Sequence, residues 1–274
     1  MCLIAVAWQA HPRYPLALIA NRDELHARPS APAGPDPQRP DVYGGRDLQA
    51  GGSWLLVSAR GRLAAVTNVR VGPVAALAPR SRGQLVREFA HATADVEDWL
   101  LRLSPTAPEY GRFNLLLWDG HTLAYATNHP RYAWQPLAPG VHAVSNGAFD
   151  ARWPKSGRAT HALETWLASP LAQREPGADL VAPLFAALAD TVPAPDAELP
   201  DTGVGLALER HLSPPFVRDP HYGTRCSSVV LAGADRIVFA ERRYGPDAVP
   251  LGASFVQWPR QETGPLAAAA PDSR

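Results

Sequence analysis

Cysteine is scarce in this chain of 274 residues, which has only Cys2 and Cys226. Two cysteines are too few for a disulfide framework or a cysteine-based zinc site, so reactivity or burial must explain each of them. The nine histidines form no His-x-x-x-His pair and have no carboxylate at ligand spacing. A metal site built from protein groups alone is therefore not expected.

An excess of positive charge is also missing, because Lys+Arg and Asp+Glu both number 26. This balance argues against nucleic acid or an anionic lipid surface as a partner. No run of about 18 apolar residues occurs, and the apolar start lacks the basic region and cleavage site of a secretory signal. We therefore expect a soluble cytoplasmic protein with no stable membrane insertion.

Apolar residues make up 46% of the chain and include eight tryptophans, which is enough to fill a sizeable core. No linker divides the sequence visibly, so we predict one domain over residues 1–260 and a flexible tail over residues 261–274. The prolines concentrate in loops, and we expect the Pro-rich segment 28–40 to lie over the functional site.

Short apolar runs separated by turn residues predict strands. The predicted hairpins and strands are 2–8 with 16–20, 53–58 with 63–68, 113–118, 122–127, 140–145, and 227–232 with 236–241. Helical spacing of apolar residues predicts one helix or a broken pair over 81–103, and further helices over 155–168 and 180–190. This order, without regular strand-helix alternation, favours mainly antiparallel sheets covered by helices.

Glycines are concentrated in the segment 44–52, as they are in phosphate-binding loops. The segment has neither the glycine spacing nor the lysine and following helix that a nucleotide loop requires. We therefore interpret it as tight turns.

Polar residues cluster at four places where a predicted strand begins or ends. These are Asn21-Arg22-Asp23-Glu24, Thr67-Asn68, Ser145-Asn146-Gly147 and Gly223-Thr224-Arg225-Cys226. A strand end delivers a side chain to a site while the strand interior stays buried. The alternative is that these residues are solvated or form turns. In that interpretation Asn21-Arg22-Asp23-Glu24 is a solvated turn in which Arg22 pairs with Glu24. Asn68 and Asn146 would then be turn residues, since asparagine tolerates left-handed backbone.

Cys2 directly follows the initiator Met1. Methionine aminopeptidases remove Met1 before a small residue, which would leave a thiol and a free α-amine on Cys2. Since the thiol pKa is about 8.5 and the amine pKa about 7.7 to 8.0, a small downward shift of the amine pKa lets it accept the thiol proton. The alternative is a small buried apolar residue that starts a strand.

The ordered motifs of the chain resemble the NRDE family, that of the Transport and Golgi organisation protein 2. The motifs that carry the resemblance are Met1-Cys2-Leu3-Ile4, Asn21-Arg22-Asp23-Glu24 with Arg28-Pro29, Gly45-Arg46-Asp47-Leu48, Gly51-Gly52-Ser53-Trp54-Leu55, Thr67-Asn68-Val69-Arg70, Ser81-Arg82-Gly83, Ser145-Asn146-Gly147, Trp153-Pro154-Lys155 and Gly223-Thr224-Arg225-Cys226-Ser227-Ser228. They span roughly residues 1 to 231. Members of that family look like N-terminal nucleophile hydrolases, and eukaryotic relatives are linked to haem trafficking and lipid or acyl-CoA metabolism.

A remoter resemblance is to bile salt hydrolases and penicillin V acylases, which also begin Met-Cys. The residues that fall in the same order are Cys2, Arg22, Asp23, Asn68, Asn146 and Arg225. The acylases read Arg-Asn-x-Asp where this chain reads Asn-Arg-Asp-Glu, which leaves open whether Asp23 or Glu24 faces the amine.

These resemblances imply an α+β fold, a four-layer αββα sandwich of mainly antiparallel sheets, with Cys2 starting an inner strand. They imply an amidohydrolase or acyltransferase that acts on an amide or thioester, in which Cys2 attacks the carbonyl and its own amine carries the proton. Arg22 with Asp23 or Glu24 orients the terminus, and Arg225 supports the thiolate or amine geometry. Asn68, with Asn146 as a second candidate, stabilises the oxyanion.

Two other functions stay open at this point. One is a non-enzymatic carrier that binds haem or an acyl lipid in the same cleft, although no Cys-x-x-Cys-His attachment motif occurs. The other is a structural interaction protein that has lost catalysis. The hydrolase requires no cofactor, and the partner expected is a small acyl amide, thioester or haem.

Trp54, Trp134 and Trp153 are candidates to line an acyl pocket, and core packing explains them equally well.

Overall fold

The computed structural model describes residues 2–72 and 78–261, with Cys2 described by its main chain only. Beyond Gln261, the tail expected from the sequence lies outside the described residues. Thirteen strands occur within the described part. They are β1 Cys2–Trp8, β2 Leu16–Leu25, β3 Ser30–Pro35, β4 Val42–Asp47, β5 Leu55–Ser58, β6 Arg62–Asn68, β7 Phe113–Trp118, β8 Leu123–Thr127, β9 Ala133–Pro136, β10 Gly140–Val144, β11 Tyr222–Ala232, β12 Arg236–Tyr244 and β13 Pro250–Pro259.

The strands form two sheets in which all neighbouring strands are antiparallel. The first sheet has six strands in the order β10-β1-β2-β11-β12-β13, and the second has seven strands in sequence order from β3 to β9. The first sheet therefore brings strands from the two ends of the chain together, whereas the second is a meander.

Five α-helices occur in the described part: α1 Arg82–His91, α2 Val96–Leu103, α3 Pro154–Ala168, α4 Ala182–Leu188 and α5 Leu206–His211. The periodic stretch over 81–103 is thus a broken pair of helices. Asp95 separates the two and accepts a hydrogen bond from the Asp98 main-chain nitrogen (2.7 Å), which caps α2. No helix within the described residues is long and apolar enough to cross a bilayer.

The alternation of side chains along each strand builds three separate cores. In β1, Leu3 and Ala5 pack with α3 and α4 on the outer face of the first sheet, whereas Ile4 and Val6 pack between the two sheets. A third core lies between the second sheet and the helices α1 and α2. The layers therefore run helix, sheet, sheet, helix, which confirms the α+β four-layer sandwich.

Two strands extend further into polar sequence than their apolar residues indicate. β2 runs to Leu25 and so contains the Asn21-Arg22-Asp23-Glu24 segment, which the sequence places after the strand. β11 likewise starts at Tyr222 and contains Gly223-Thr224-Arg225-Cys226. The two polar segments pair with each other, since Tyr222 lies opposite Leu25 and Thr224 opposite Asp23. Main-chain pairing, which does not depend on side-chain hydrophobicity, extends both strands.

The interpretation of residues 44–52 as turns alone is wrong at its start, because Gly44 and Gly45 belong to β4. A Cβ atom on Gly44 would lie 2.3 Å from the Leu55 carbonyl oxygen, and one on Gly45 would lie 2.1 Å from the Trp54 ring. These glycines are required by close packing within the sheet. β3, β9 and β13, which carry few buried apolar residues, are not predicted from the sequence either.

A buried hydrogen-bond network joins the two sheets where β6 and β10 end. The Asn114 side chain, 1% exposed, donates to the carbonyl oxygens of Gly147 (2.9 Å) and Ser145 (3.3 Å). Its own oxygen accepts a hydrogen bond from the Tyr125 hydroxyl (2.7 Å). Thr67 also donates its hydroxyl hydrogen to Ser145. The end of the second sheet is thereby attached to the segment that follows β10.

Replacing Asn114 by alanine should destabilise the protein by about 3 kcal/mol, because it leaves buried carbonyl and hydroxyl groups without their partner. Urea unfolding measures the effect. Gln135→Ala, on the exposed face of β9 in the same sheet, is the control and should change the free energy of unfolding by less than about 0.5 kcal/mol. Equal effects of the two substitutions would contradict the structural role of the network.

Candidate functional site

The strand register places Cys2 directly beside Arg22, at the end of the β1–β2 pair. On the other side of β2, Arg22 lies opposite Cys226 of β11. Successive residues of a strand point to opposite faces, so Arg22 lies on the inter-sheet face and Asp23 on the face covered by helices. The end of β2 thus supplies a cation to one face and a carboxylate to the other.

Arg22 is held in place by an aromatic ring and a hydroxyl group. Its guanidinium carbon lies 4.1 Å from the centroid of the Trp54 ring, and its Nη1 donates to the Ser30 hydroxyl (3.1 Å). The residue is 6% exposed. The cation is therefore fixed at the point where β3 and the start of β5 meet the first sheet.

Asp23 is the buried carboxylate of the segment, with 1% exposure. The Thr224 hydroxyl donates to its Oδ1 at 2.6 Å. Burial raises the pKa of the Asp23 carboxyl above its usual value, and the positive charges of Lys155 and Arg22 act in the opposite direction.

Glu24 lies nearer to solvent, with a quarter of its side chain exposed. Its carboxylate accepts a hydrogen bond from the Leu25 main-chain nitrogen (2.9 Å) and lies 3.8 Å from Arg28 and 4.0 Å from Arg22. Of the two candidate carboxylates, Asp23 is therefore the one enclosed by the sheet and Glu24 the one that pairs with arginines at its edge.

The two predicted asparagines contact each other across the sheet junction. Asn146 is fully buried, and its Nδ2 donates to both the main-chain oxygen and the side-chain oxygen of Asn68 at 3.0 Å. Asn146 accepts in turn from the Ser145 hydroxyl (3.2 Å). Asn146 is thus occupied in holding Asn68, and its contact with the Asn68 oxygen orients that amide.

Arg225 lies at the bulge where the pairing of β11 with β2 shifts register. Its Nη1 donates to the carbonyl oxygens of Leu25 (2.8 Å) and Arg28 (3.0 Å), which fixes the turn after β2. Burial and the neighbouring charge of Arg22 lower the pKa of the Arg225 guanidinium. Its contacts are with the main chain and not with either candidate carboxylate.

Two cavities share the Arg22 and Trp54 side chains as walls. The first, of about 110 Å³, is also lined by Asp23, Glu24 and Asn68. It therefore joins side chains from the ends of β2 and β6, which belong to different sheets.

The second cavity, of about 160 Å³, lies beside the first one. Its remaining lining residues are Ser30, Ala31, Pro32, Arg225, Cys226, Glu241, Arg243, Tyr244 and Leu251. The start of the Pro-rich segment thus forms part of its wall. Of the three candidate tryptophans only Trp54 lines these cavities, whereas Trp134 packs against the outer core of the second sheet and Trp153 lies against Arg70.

Thr224 and Lys155 belong to the motifs of the sequence, but the sequence alone assigns neither residue a role. Thr224 binds Asp23 directly, and Lys155 is the largest of the charges that lower the Asp23 pKa. Composition could have singled out Lys155, because it is the single lysine of the chain. Within residues 2–72 and 78–261, no group of three or more His, Cys, Asp or Glu side chains is arranged to hold a metal ion.

Glu241 provides a test of the electrostatics of the second cavity, since burial raises the pKa of its carboxyl. The native state therefore binds this proton more tightly than the unfolded state does. The contribution of Glu241 to stability should fall as pH rises from the ordinary glutamate pKa of 4.5 towards the raised value. The stability of Glu241→Gln relative to the wild type should thus increase with pH over this range.

Chemical denaturation between pH 4 and pH 8 measures this difference. Glu164→Gln, at an exposed position of α3, is the control and should show no such trend. A Glu241→Gln difference that stays constant with pH would be evidence against the raised pKa.

Sequence comparison identifies close relatives over nearly the whole chain. A family model described as Transport and Golgi organisation 2 matches residues 1–246. The Transport and Golgi organization protein 2 homolog of Bos taurus is 33% identical over 279 residues, which cover 94% of this chain and 96% of that protein. The homolog of Homo sapiens is 30% identical over 262 residues, with 88% and 92% covered.

Two solved structures are similar at low sequence identity. The Caenorhabditis elegans N-acylethanolamine-hydrolyzing acid amidase ortholog is 11% identical with a TM-score of 0.49, and 84% of this chain and 92% of that chain are covered. The C2A mutant of the conjugated bile acid hydrolase from Clostridium perfringens is 9% identical with a TM-score of 0.48, and 93% and 92% are covered.

Proposed function

The chain belongs to the Transport and Golgi organisation 2 family, and we propose that it is a hydrolase or acyltransferase in which Cys2 attacks the carbonyl carbon of an amide or thioester. Removal of Met1 exposes the Cys2 amine for this reaction. The family name specifies no reaction, so the support comes from the residues around the end of β2.

The observation that carries the proposal is the position of Arg22. It lies beside Cys2 in the strand register and forms a wall of both cavities. A fixed guanidinium one strand away favours the thiolate over the thiol. Asn68 lines the first of these cavities, and the Asp23 carboxyl lies on the other face of β2, so an amide and a carboxylate flank the end of β2 beside Cys2.

Acyl-enzyme formation requires one proton to move from the Cys2 thiol to the leaving group. The α-amine of Cys2 takes the proton as the sulfur bonds to the carbonyl carbon. The bond from that carbon to the leaving nitrogen or sulfur then breaks, and the ammonium returns the proton to the leaving atom. Water, or a second nucleophile in the transferase case, attacks the resulting thioester with the same amine as base, and the free thiol is restored.

The oxyanion formed in each step is stabilised by Asn68 in this proposal. Its side-chain oxygen accepts the hydrogen bond from Asn146, so its amide nitrogen is the group available to donate. Asn146 acts through Asn68 and is a positioning residue. Asp23 orients the amine on the helix side of β2, whereas Glu24 stays with its arginines at the sheet edge.

The second cavity receives the acyl group in this proposal. Its volume of about 160 Å³ is close to that of an engineered protein cavity of about 150 Å³ that binds benzene. Trp54, Pro32 and Leu251 give it apolar wall area. The reaction therefore favours an acyl group that buries about six to eight non-hydrogen atoms, and it uses no cofactor.

The first test is the chemical state and reactivity of Cys2. Intact mass should show loss of Met1, and brief treatment with iodoacetamide at pH 7.5 should alkylate Cys2 before the buried Cys226. Cys226→Ser is the control and should leave the alkylation rate of Cys2 unchanged. Retained Met1, or a Cys2 no more reactive than Cys226, would refute this mechanism.

The second test is turnover of a panel of acyl amides and thioesters. Cys2→Ala should abolish it, and Asn68→Ala should lower kcat by about 100- to 1,000-fold, as the loss of one oxyanion donor does. Gln135→Ala, which removes an exposed amide in β9, should leave kcat unchanged. Turnover that survives Cys2→Ala would assign the chemistry to another residue.

A further inference from the structure

Lys155, the single lysine of the chain, is buried. It lies in the first turn of α3, directly after Pro154, and is 2% exposed. Burying an ammonium group costs several kcal/mol unless an anion and hydrogen-bond acceptors compensate it. A nearby buried carboxylate is the group that compensates such a charge most effectively.

Three hydrogen bonds and the main-chain segment 212–217 connect Lys155 with the end of β2. The Lys155 ammonium donates to the carbonyl oxygen of Leu212 (3.2 Å). The segment 212–217 then reaches β11, where the Val217 main-chain nitrogen donates to the Thr224 hydroxyl oxygen (3.0 Å). Thr224 donates in turn to Asp23 (2.6 Å). Lys155 directly and Asp23 through Thr224 are thus linked to the same segment, 212–217.

The other buried carboxylates within residues 2–72 and 78–261 have different partners. Asp36 pairs with Arg87, Asp47 with Arg28, Glu209 with Arg70 and Glu241 with Arg243, while Asp119 accepts from the main-chain nitrogens of Val96, His121 and Thr122. Asp23 is the remaining buried carboxylate of the described residues, and Lys155 is the strongest charge acting on it.

We propose that Lys155 is a positioning residue of the thiol site, whose buried ammonium keeps the Asp23 carboxylate ionised so that this carboxylate can orient the Cys2 amine. The orienting step rests on the function proposed above, whereas the Lys155–Asp23 pair does not. Lys155 acts through Asp23 and has no contact with substrate in this account.

The direction of the effect follows from the groups that face Asp23. Lys155 on α3, the positive charge of the amino terminus and the Thr224 hydroxyl on β11 favour the ionised carboxyl, as does Arg22 from the opposite face of β2, against the burial that raises its pKa. The Tyr222 hydroxyl donates to the Asp23 main-chain oxygen (3.3 Å). Removing the ammonium should therefore raise the Asp23 pKa further.

Carbon-13 NMR of the aspartate carboxyl groups tests the pair directly, with Asp23→Asn used to assign the resonance. In Lys155→Met the Asp23 midpoint should move to higher pH by at least one unit, a tenfold change in proton affinity. Lys155→Arg keeps the charge and should stay near the wild type. An Asp23 midpoint unchanged in Lys155→Met would overturn the proposal.

A double variant keeps the test decisive if Lys155→Met folds poorly. Asp23→Asn in the Lys155→Met background removes both buried charges, so the double variant should unfold at a higher urea concentration than Lys155→Met. A double variant that is less stable by the sum of the two single effects would show that the two side chains are not a pair.

The pH dependence of Cys2 alkylation tests the positioning role. In Lys155→Met the acidic limb of the alkylation rate should move to higher pH together with the Asp23 midpoint, and Lys155→Arg should restore it. If the acidic limb of the alkylation rate stays at the wild-type pH in Lys155→Met, the positioning role is overturned. A lysine with a purely structural role would change the stability of the protein without moving this limb. Wild-type Cys2 that resists alkylation at every pH would instead refute the proposed function, while the NMR result still decides the pair.

Discussion

The hydrogen bonds that cross from the ends of β6 and β7 to residues 145–147 hold the two sheets together beside the candidate site. Asn114 and Thr67 bind the carbonyl groups of Ser145 and Gly147, and Asn146 binds Asn68. These contacts are buried, so each lost partner costs the desolvation of a polar group. They set the alignment in which Asn68 of one sheet shares a cavity with Arg22 of the other.

The alternation of side chains along β2 places its positive and negative groups on opposite faces of the first sheet. Arg22 and Asp23 are adjacent in sequence and therefore face opposite sides of the first sheet. The inter-sheet side supplies Trp54 and Ser30 to the arginine. The helix side supplies Thr224 and Lys155 to the aspartate. In the proposed mechanism, the Cys2 amine at the end of β1 uses the cation from one face and the carboxylate from the other.

The sequence predicts those strands and helices whose own apolar residues form a periodic pattern. The apolar residues of β6 and β10 indicate those strands and their ends near Asn68 and Ser145, and helical spacing indicates α1 and α2. The extension of β2 through Asn21-Arg22-Asp23-Glu24 is not predictable from hydrophobicity, because it depends on pairing with Tyr222–Thr224 about 200 residues later in the chain. The roles of Lys155 and Thr224 are hidden for the same reason, since their partner is brought to them by the fold.

Trapping of an acyl-enzyme is the direct test of whether Cys2 is the nucleophile. The protein is incubated with a reactive acyl thioester, quenched in acid, and its N-terminal peptide is analysed by mass spectrometry. The account predicts the mass of the acyl group on a peptide that begins with Cys2, and its absence in Cys2→Ala. An acyl group found on Cys226 or another residue, with an unmodified N-terminal peptide under conditions of turnover, would contradict it.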